Sequence, residues 1–129
     1  MYNVIIVGAG GLGREVYFWM SESSLTLDNG NYQIKGFLDD NPTSLDRFDI
    51  EEKVIGDIVN YNIQEDDRFI FAIGDIGIKK KITNKLEKRG AQFISLIHNT
   101  AVVATTSKIG KGCVICPFVT ISDSVRIED

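Results

Sequence analysis

The 129 residues suffice for one ordinary domain with room for a small second module, and 43% hydrophobic and 25% charged residues with only two prolines describe a folded globular chain. A formal net charge of −4 gives no electrostatic basis for nucleic acid binding. No apolar run approaches membrane-spanning length, and the opening MYNVIIVG has neither the basic region nor the cleavage pattern of a secretory leader. Membrane insertion is therefore not expected, and a cytoplasmic location is the default.

Residues 2–7, YNVIIV, are apolar, β-branched and bounded by glycine, which predicts a buried strand. The loop GAGGLG (8–13) follows. A helix is predicted from about Leu12 to Glu22, with Leu12, Val16, Trp19 and Met20 on one face, so Trp19 belongs to the core and is not a ligand platform. Residues 23–31 read as a polar loop, and 32–40 (YQIKGFLDD) as a second strand. Residues 41–49 form a turn and loop opened by Asn41-Pro42, and 54–58 a short extended piece entering a turn. RFIFAIG (68–74) is a third strand, and 78–90 a helix stopped by Gly90, its lysines forming a solvated face. AQFISLI (91–97) reads as a fourth strand. Alternating strands and helices imply a Rossmann-like, doubly wound, mostly parallel α/β sheet, whose ligands bind beyond the carboxyl ends of its strands.

After His98 the period changes. From Val103 the chain divides into VATTSK, IGKGCV, ICPFVT and ISDSVR, an aliphatic residue leading each hexad. Neither a period of 2 nor one of 3.6 produces this spacing; a hexapeptide β-helix does, each hexad forming one flat side of a triangular coil. The boundary is set at residue 98, giving units 1–98 and 99–129. Cys113 and Cys116 form a CxxC, but Cys113 takes the hexad place held elsewhere by Ser107, Val119 and Val125. With no second ligand pair and no helix N-terminus beside them, the cysteines read as structural, and no metal site is expected.

GAGGLG fits G-x-G-x-x-G between a strand and a helix. Gly8 permits the tight turn, Gly10 and Gly11 let backbone N–H groups approach phosphate, and Gly13 lets the helix pack on the strand. The helix dipole adds to the attraction for an anion. Asp39 and Asp40 end the second strand, where a carboxylate can accept hydrogen bonds from a ribose or a base. Asp39 lies 26 positions after Gly13, against about 20 in the dinucleotide fingerprint, so a nucleotide pocket is favoured without implying nicotinamide.

GAGGLG, then LDD, then FAIGDIGIKKKI, then FISLIHNTAVV leading into hexads together resemble the bacterial sugar acyltransferase family. That family includes sialic acid O-acetyltransferases and the N-acetyltransferases of UDP-4-amino sugars. The resemblance implies a left-handed β-helix after the first domain and an assembly of three subunits with acetyl-CoA between neighbours. It also implies acetyl transfer to an amino or hydroxyl group of a UDP- or dTDP-linked sugar. Carried over by motif, Gly10, Gly11 and Leu12 meet the phosphates and sugar, Asp39 and Asp40 the uridine, and Gly74 the third strand end. Lys79 stands where the family usually has an arginine; it keeps the charge for phosphate but not the planar fork.

The only histidine, His98, falls at the family's HxxA junction and not in a catalytic coil, so it reads as a junction hydrogen-bonding residue and no catalytic residue is assigned. Three hexads make a coil, and IED leaves the last one incomplete. On that ground the chain is read as a truncated, catalytically inactive piece, its tail from about Thr105 frayed or packed on another copy. Two other readings predict different binding: a non-catalytic sugar-nucleotide-binding or assembly module, and, on the glycine fingerprint alone, a NAD-dependent redox domain.

Overall fold

The computed structural model describes residues 2–21, 25–26, 32–110, 112–116, 118–122 and 125–127. At its centre is a parallel four-stranded sheet. In spatial order it contains β4 (Val54–Gly56), β3 (Tyr32–Leu38), β1 (Tyr2–Val7) and β5 (Asp67–Phe71). Val4, Ile5, Ile6 and Val7 are all fully buried because both faces of the sheet are covered, which is why β1 is a continuous apolar run and not an alternating one. One face packs Val4, Ile6, Phe37 and Ile70 against Val16 and Met20 of α1 (Gly11–Ser21). The other packs Ile5, Val7, Leu38, Phe69 and Phe71 against Leu86 of α2 (Ile76–Lys88). Trp19 packs half-buried on the α1 core, as its helical spacing predicts.

Helix α2 starts two residues before its predicted limit because Asp75 caps it, its Oδ1 accepting the Ile78 N–H at 3.0 Å. It ends at Gly90, whose φ of +93° is open to glycine at little cost.

The predicted strand at 91–97 is corrected. Only Phe93 bridges β5, opposite Phe69, and the chain then leaves the sheet to form β6 (Leu96–His98). The fourth strand of the sheet is β4, on the opposite edge. Strand β6 pairs antiparallel with β2 (Leu25–Thr26), so part of the predicted loop at 23–31 is extended; the rest of that loop lies outside the described residues.

From residue 96 onward three short parallel pairings recur. They join β6 to β9 (Val114–Ile115), β7 (Val102–Val103) to β10 (Thr120–Ile121), and β8 (Lys108–Ile109) to β11 (Arg126–Ile127). Every matched pair lies eighteen residues apart, three hexads, as in Val103 opposite Ile121 and Ile109 opposite Ile127. The hexad-leading aliphatics gather inward with Cys113, which is buried, so the stretch expected to fray from about Thr105 closes on its own chain.

Beneath the sheet lies a polar cluster that the sequence pattern does not reveal. Lys35 is the extra residue where β3 slips against β1, since Val4 faces Ile34 and Ile5 faces Gly36. Its ammonium donates to Tyr61 Oη at 2.6 Å and to Asp67 Oδ1 at 3.2 Å, while Tyr61 Oη donates to Asp67 Oδ2 at 2.8 Å. Asp67 is 2% exposed and also accepts the Gln64 N–H at 2.8 Å, so this buried carboxylate is fully partnered.

Candidate functional site

The carboxyl ends of β1, β3 and β5 converge on Gly8. Its N–H donates to Leu38 O at 2.8 Å, and a Cβ placed on it would meet Ala72 O and Ile73 Cγ1, each at 2.8 Å. With a φ of +109° as well, the position excludes any side chain. Gly13 is equally constrained, because a Cβ there would stand 2.0 Å from Gly8 O. This contact presses the first turn of α1 onto the loop.

Asp39 holds the loop from the neighbouring strand. Its Oδ2 accepts the Ala9 N–H at 2.8 Å and its Oδ1 the Asn41 N–H at 2.8 Å. The first thing Asp39 does is therefore to fix the glycine loop to the end of β3. Beyond Ala9, the N–H groups of Gly10, Gly11 and Leu12 meet no acceptor among the described residues, while the Arg14 N–H closes onto Gly10 O at 3.0 Å. Nothing would crowd a Cβ at Gly10, and only Arg14 Nη2, at 3.9 Å, comes near one at Gly11. Three consecutive donors at a helix N-terminus, facing open space, are arranged as an anion would require. The side chain of Leu12 packs into the core, leaving its backbone to face the loop.

Asp40 lies one residue further on, exposed, its Oδ1 accepting the Ile58 N–H at 3.4 Å. It borders a cleft of about 480 Å³ between α2 and the turn after β4, lined by Ile58, Val59, Ile78 and Ile82, with Lys81 and Lys85 at its rim. Val59 is 58% and Ile78 46% exposed, so the cleft offers aliphatic surface to a flat, partly apolar group. Gly74 lies three residues beyond β5 and not at the end of a strand reaching 74 as predicted; no atom comes within 4 Å of a Cβ there, and it stands directly before the cap of α2.

The structure thus joins Asp39 through the Ala9 N–H to the loop that carries Gly10, Gly11 and Leu12, with Asp40 on the neighbouring cleft and Gly74 in the segment between β5 and α2. Lys79 does something else. Its ammonium donates to Gly112 O at 3.1 Å and lies 5.9 Å from the Phe71 ring, tying α2 to the turn before β9. It lines a separate seam of about 740 Å³ with Phe71, Thr83 and Phe93. His98 is buried at the junction; its Nδ1 accepts the Thr100 N–H at 3.1 Å and lies 2.8 Å from Thr100 Oγ1, which in turn accepts the Phe118 N–H. No motif marks Ile58, Val59, Ile78 and Ile82 as a group, because they come from two segments joined only by folding. Arg14 was legible in principle, one residue past the glycine loop.

Residues 3–86 match the family described as the PglD N-terminal domain. The chain belongs to that family. It is similar to the UDP-N-acetylbacillosamine N-acetyltransferase of Bacillus subtilis, 28% identical over 119 residues, a match covering 89% of this chain and 51% of that protein. Among solved structures it resembles PerB from Caulobacter crescentus, in complex with CoA and GDP-perosamine, at a TM-score of 0.79 and 25% identity. That likeness covers 100% of this chain and 58% of PerB. It also resembles the acetyltransferase domain of PglB from Neisseria gonorrhoeae, in complex with acetyl coenzyme A, at a TM-score of 0.78 and 25% identity. Here 98% of this chain and 58% of the other are covered. The chain spans about half the length of the curated relative it matches. Among the described residues of this PglD N-terminal domain, no helix is long and apolar enough to cross a membrane.

Proposed function

We propose that this chain supplies the nucleotide-sugar-binding part of an acetyltransferase that moves an acetyl group from acetyl-CoA to an amino sugar carried on a nucleoside diphosphate. The observation that carries the reading is the glycine loop itself. It is clamped by Asp39, its three N–H groups at 10–12 meet no acceptor among the described residues, and the chain is similar to proteins named as N-acetyltransferases of amino sugars. In this reading Gly10, Gly11 and Leu12 hold the diphosphate and Asp39 keeps their loop in place. Asp40 and the aliphatic cleft receive the base, and Gly74 leaves room for the sugar beyond β5.

The same reading divides the chain near residue 98. The eighteen-residue pairings are taken as the first turns of a left-handed β-helix, and the whole protein as a cytoplasmic homotrimer. Acetyl-CoA supplies the activated thioester; transfer also needs a base for the amine proton and donors for the oxyanion. We assign neither role to a residue of this chain, since His98 Nδ1 already accepts from Thr100. This chain's part is binding and orientation, which alone contribute much of the rate in such transfers.

Calorimetric titration with UDP, GDP, dTDP and NADH tests the proposal. Binding of one or more of the three nucleoside diphosphates with none of NADH is expected. Preference for NADH, or indifference to every nucleoside diphosphate, would overturn it.

A further inference from the structure

The arginines of this chain are used differently from one another. Arg68 lies 4.1 Å from the Tyr2 ring centre, and its Nη1 donates to Glu65 O at 3.0 Å and Asp67 O at 2.9 Å. Arg89 donates to the carbonyls of Ile58 and Tyr61 across the end of α2. Both guanidinium groups are engaged by the backbone and serve the fold. Arg14 has the stacking contact without the hydrogen bonds. Its Cζ lies 3.8 Å from the centre of the Phe48 ring, the closest of the cation–aromatic contacts among the described residues. Among the described residues no carboxylate forms an ion pair with it, and none of its side-chain N–H groups meets an acceptor.

Two further facts set its position. Arg14 stands in the first turn of α1, half-buried, and its Nη2 is the one atom near the open space over Gly11. Phe48 comes from the loop after β3 whose start Asp39 organises through the Asn41 N–H. A guanidinium already held against an aromatic ring loses less rotamer freedom on binding, and its fork of donors matches two oxygens of one phosphate. Lys79, the cation at the family's arginine position, is engaged with Gly112 O instead.

We infer that Arg14, held over the Phe48 ring, is the charged group that grips the diphosphate of the ligand above Gly10 and Gly11, with Phe48 as its positioning residue. The inference rests on the nucleotide reading of the loop, and it names a side chain in a site otherwise built of backbone donors. It also couples the loop after β3 to the ligand, since the ring that orients Arg14 belongs to that loop.

The test is titration of the full chain and its variants with UDP, GDP and inorganic pyrophosphate, with thermal midpoints recorded for each variant. Arg14→Gln should weaken binding of the nucleoside diphosphates that bind the unaltered chain, and of pyrophosphate, by about ten- to hundredfold, the range for a charge-assisted contact. Arg14→Lys should recover part of that loss at an unchanged midpoint, because the ammonium keeps the charge but not the fork. Phe48→Leu should weaken the same ligands less than Arg14→Gln does. Unaltered affinity in Arg14→Gln overturns the inference, as does equal loss in the Gln and Lys variants with a lowered midpoint, which would mark a structural role. If the chain binds pyrophosphate through Arg14 but no nucleoside diphosphate, the role of Arg14 as a phosphate grip stands and the nucleotide reading falls. If it binds neither, both fall.

Discussion

Asp39 and Gly13 are the residues on which the loop geometry depends most. Asp39→Ala removes the carboxylate that accepts from Ala9 and Asn41. Loss of those two charge-assisted contacts should cost about 1–3 kcal/mol of stability, discounted because the aspartate is only half-buried. Nucleoside diphosphate affinity should fall with it, because Gly10 and Gly11 would no longer be held in register; calorimetry and thermal unfolding of one sample read both effects. Gly13→Ala is harsher, since its methyl would stand 2.0 Å from Gly8 O. It should lower stability by about 3 kcal/mol, the upper range for forced overpacking, measured as a shift in urea midpoint. Both residues are legible in the sequence because the glycine fingerprint states a backbone requirement that any fold using it must meet. What Asp39 does with its oxygens is not legible, since a strand-end aspartate can face a ligand or its own neighbouring loop with equal ease.

At the scale of elements, the cluster of Lys35, Tyr61 and Asp67 ties the bulge of β3 to the start of β5. Burial pulls the Lys35 ammonium down, but hydrogen bonds to Tyr61 and Asp67 outweigh it and leave its pKa above the ordinary 10.5. Burial raises Tyr61 above 10.0, with Asp67 adding to the rise and Lys35 opposing it. Both groups thus hold protons more tightly when folded than when unfolded. Their contribution is complete below about pH 10 and is lost as pH rises through the folded values, so the thermal midpoint should drop above that pH. Asp67→Asn should flatten this alkaline decline and cost about 2 kcal/mol at neutral pH, an amount tempered by the 32% exposure of the Lys35 side chain. A midpoint as steep in the variant as in the unaltered protein would show that other groups set the alkaline limit. The elements themselves follow from periodicity wherever burial is uniform, as in Val4–Val7. The stretch at 91–97 escapes this logic. Its apolar residues serve two partners in succession, Phe93 against β5 and Leu96 against Val114, and an apolar run carries no mark of the change.

Across the whole molecule, Ser95 joins sheet and coil. Its Oγ donates to Gly110 O at 2.6 Å and accepts the Cys113 N–H at 3.0 Å, while Leu96 N–H reaches Cys113 O at 2.7 Å. Ser95→Ala leaves two backbone groups without that partner and should cost about 1–2 kcal/mol. Hydrogen exchange should show the loss around residues 108–116 and leave β1 protected. Ile121→Ala, at a position 5% exposed and stacked beside Val103, should release the amides of β7 and β10 while the four-stranded sheet keeps its protection. If β1 loses protection equally, sheet and coil unfold as one unit.

The convergence on Gly8 also bears on how such a protein can change over evolutionary time. Gly8, Leu38 and Ala72 meet through backbone contacts that a side-chain change at Leu38 or Ala72 cannot adjust, and the Asp39 carboxylate closes the same cluster on the Ala9 N–H, so the four depend on one another. Asp40, Ile58, Val59, Ile78 and Ile82 stand nearby on the wall of a cleft. If the proposed nucleotide reading holds, a lineage can exchange those five one at a time, and so take up a ligand with a different base, while the glycine loop is inherited intact.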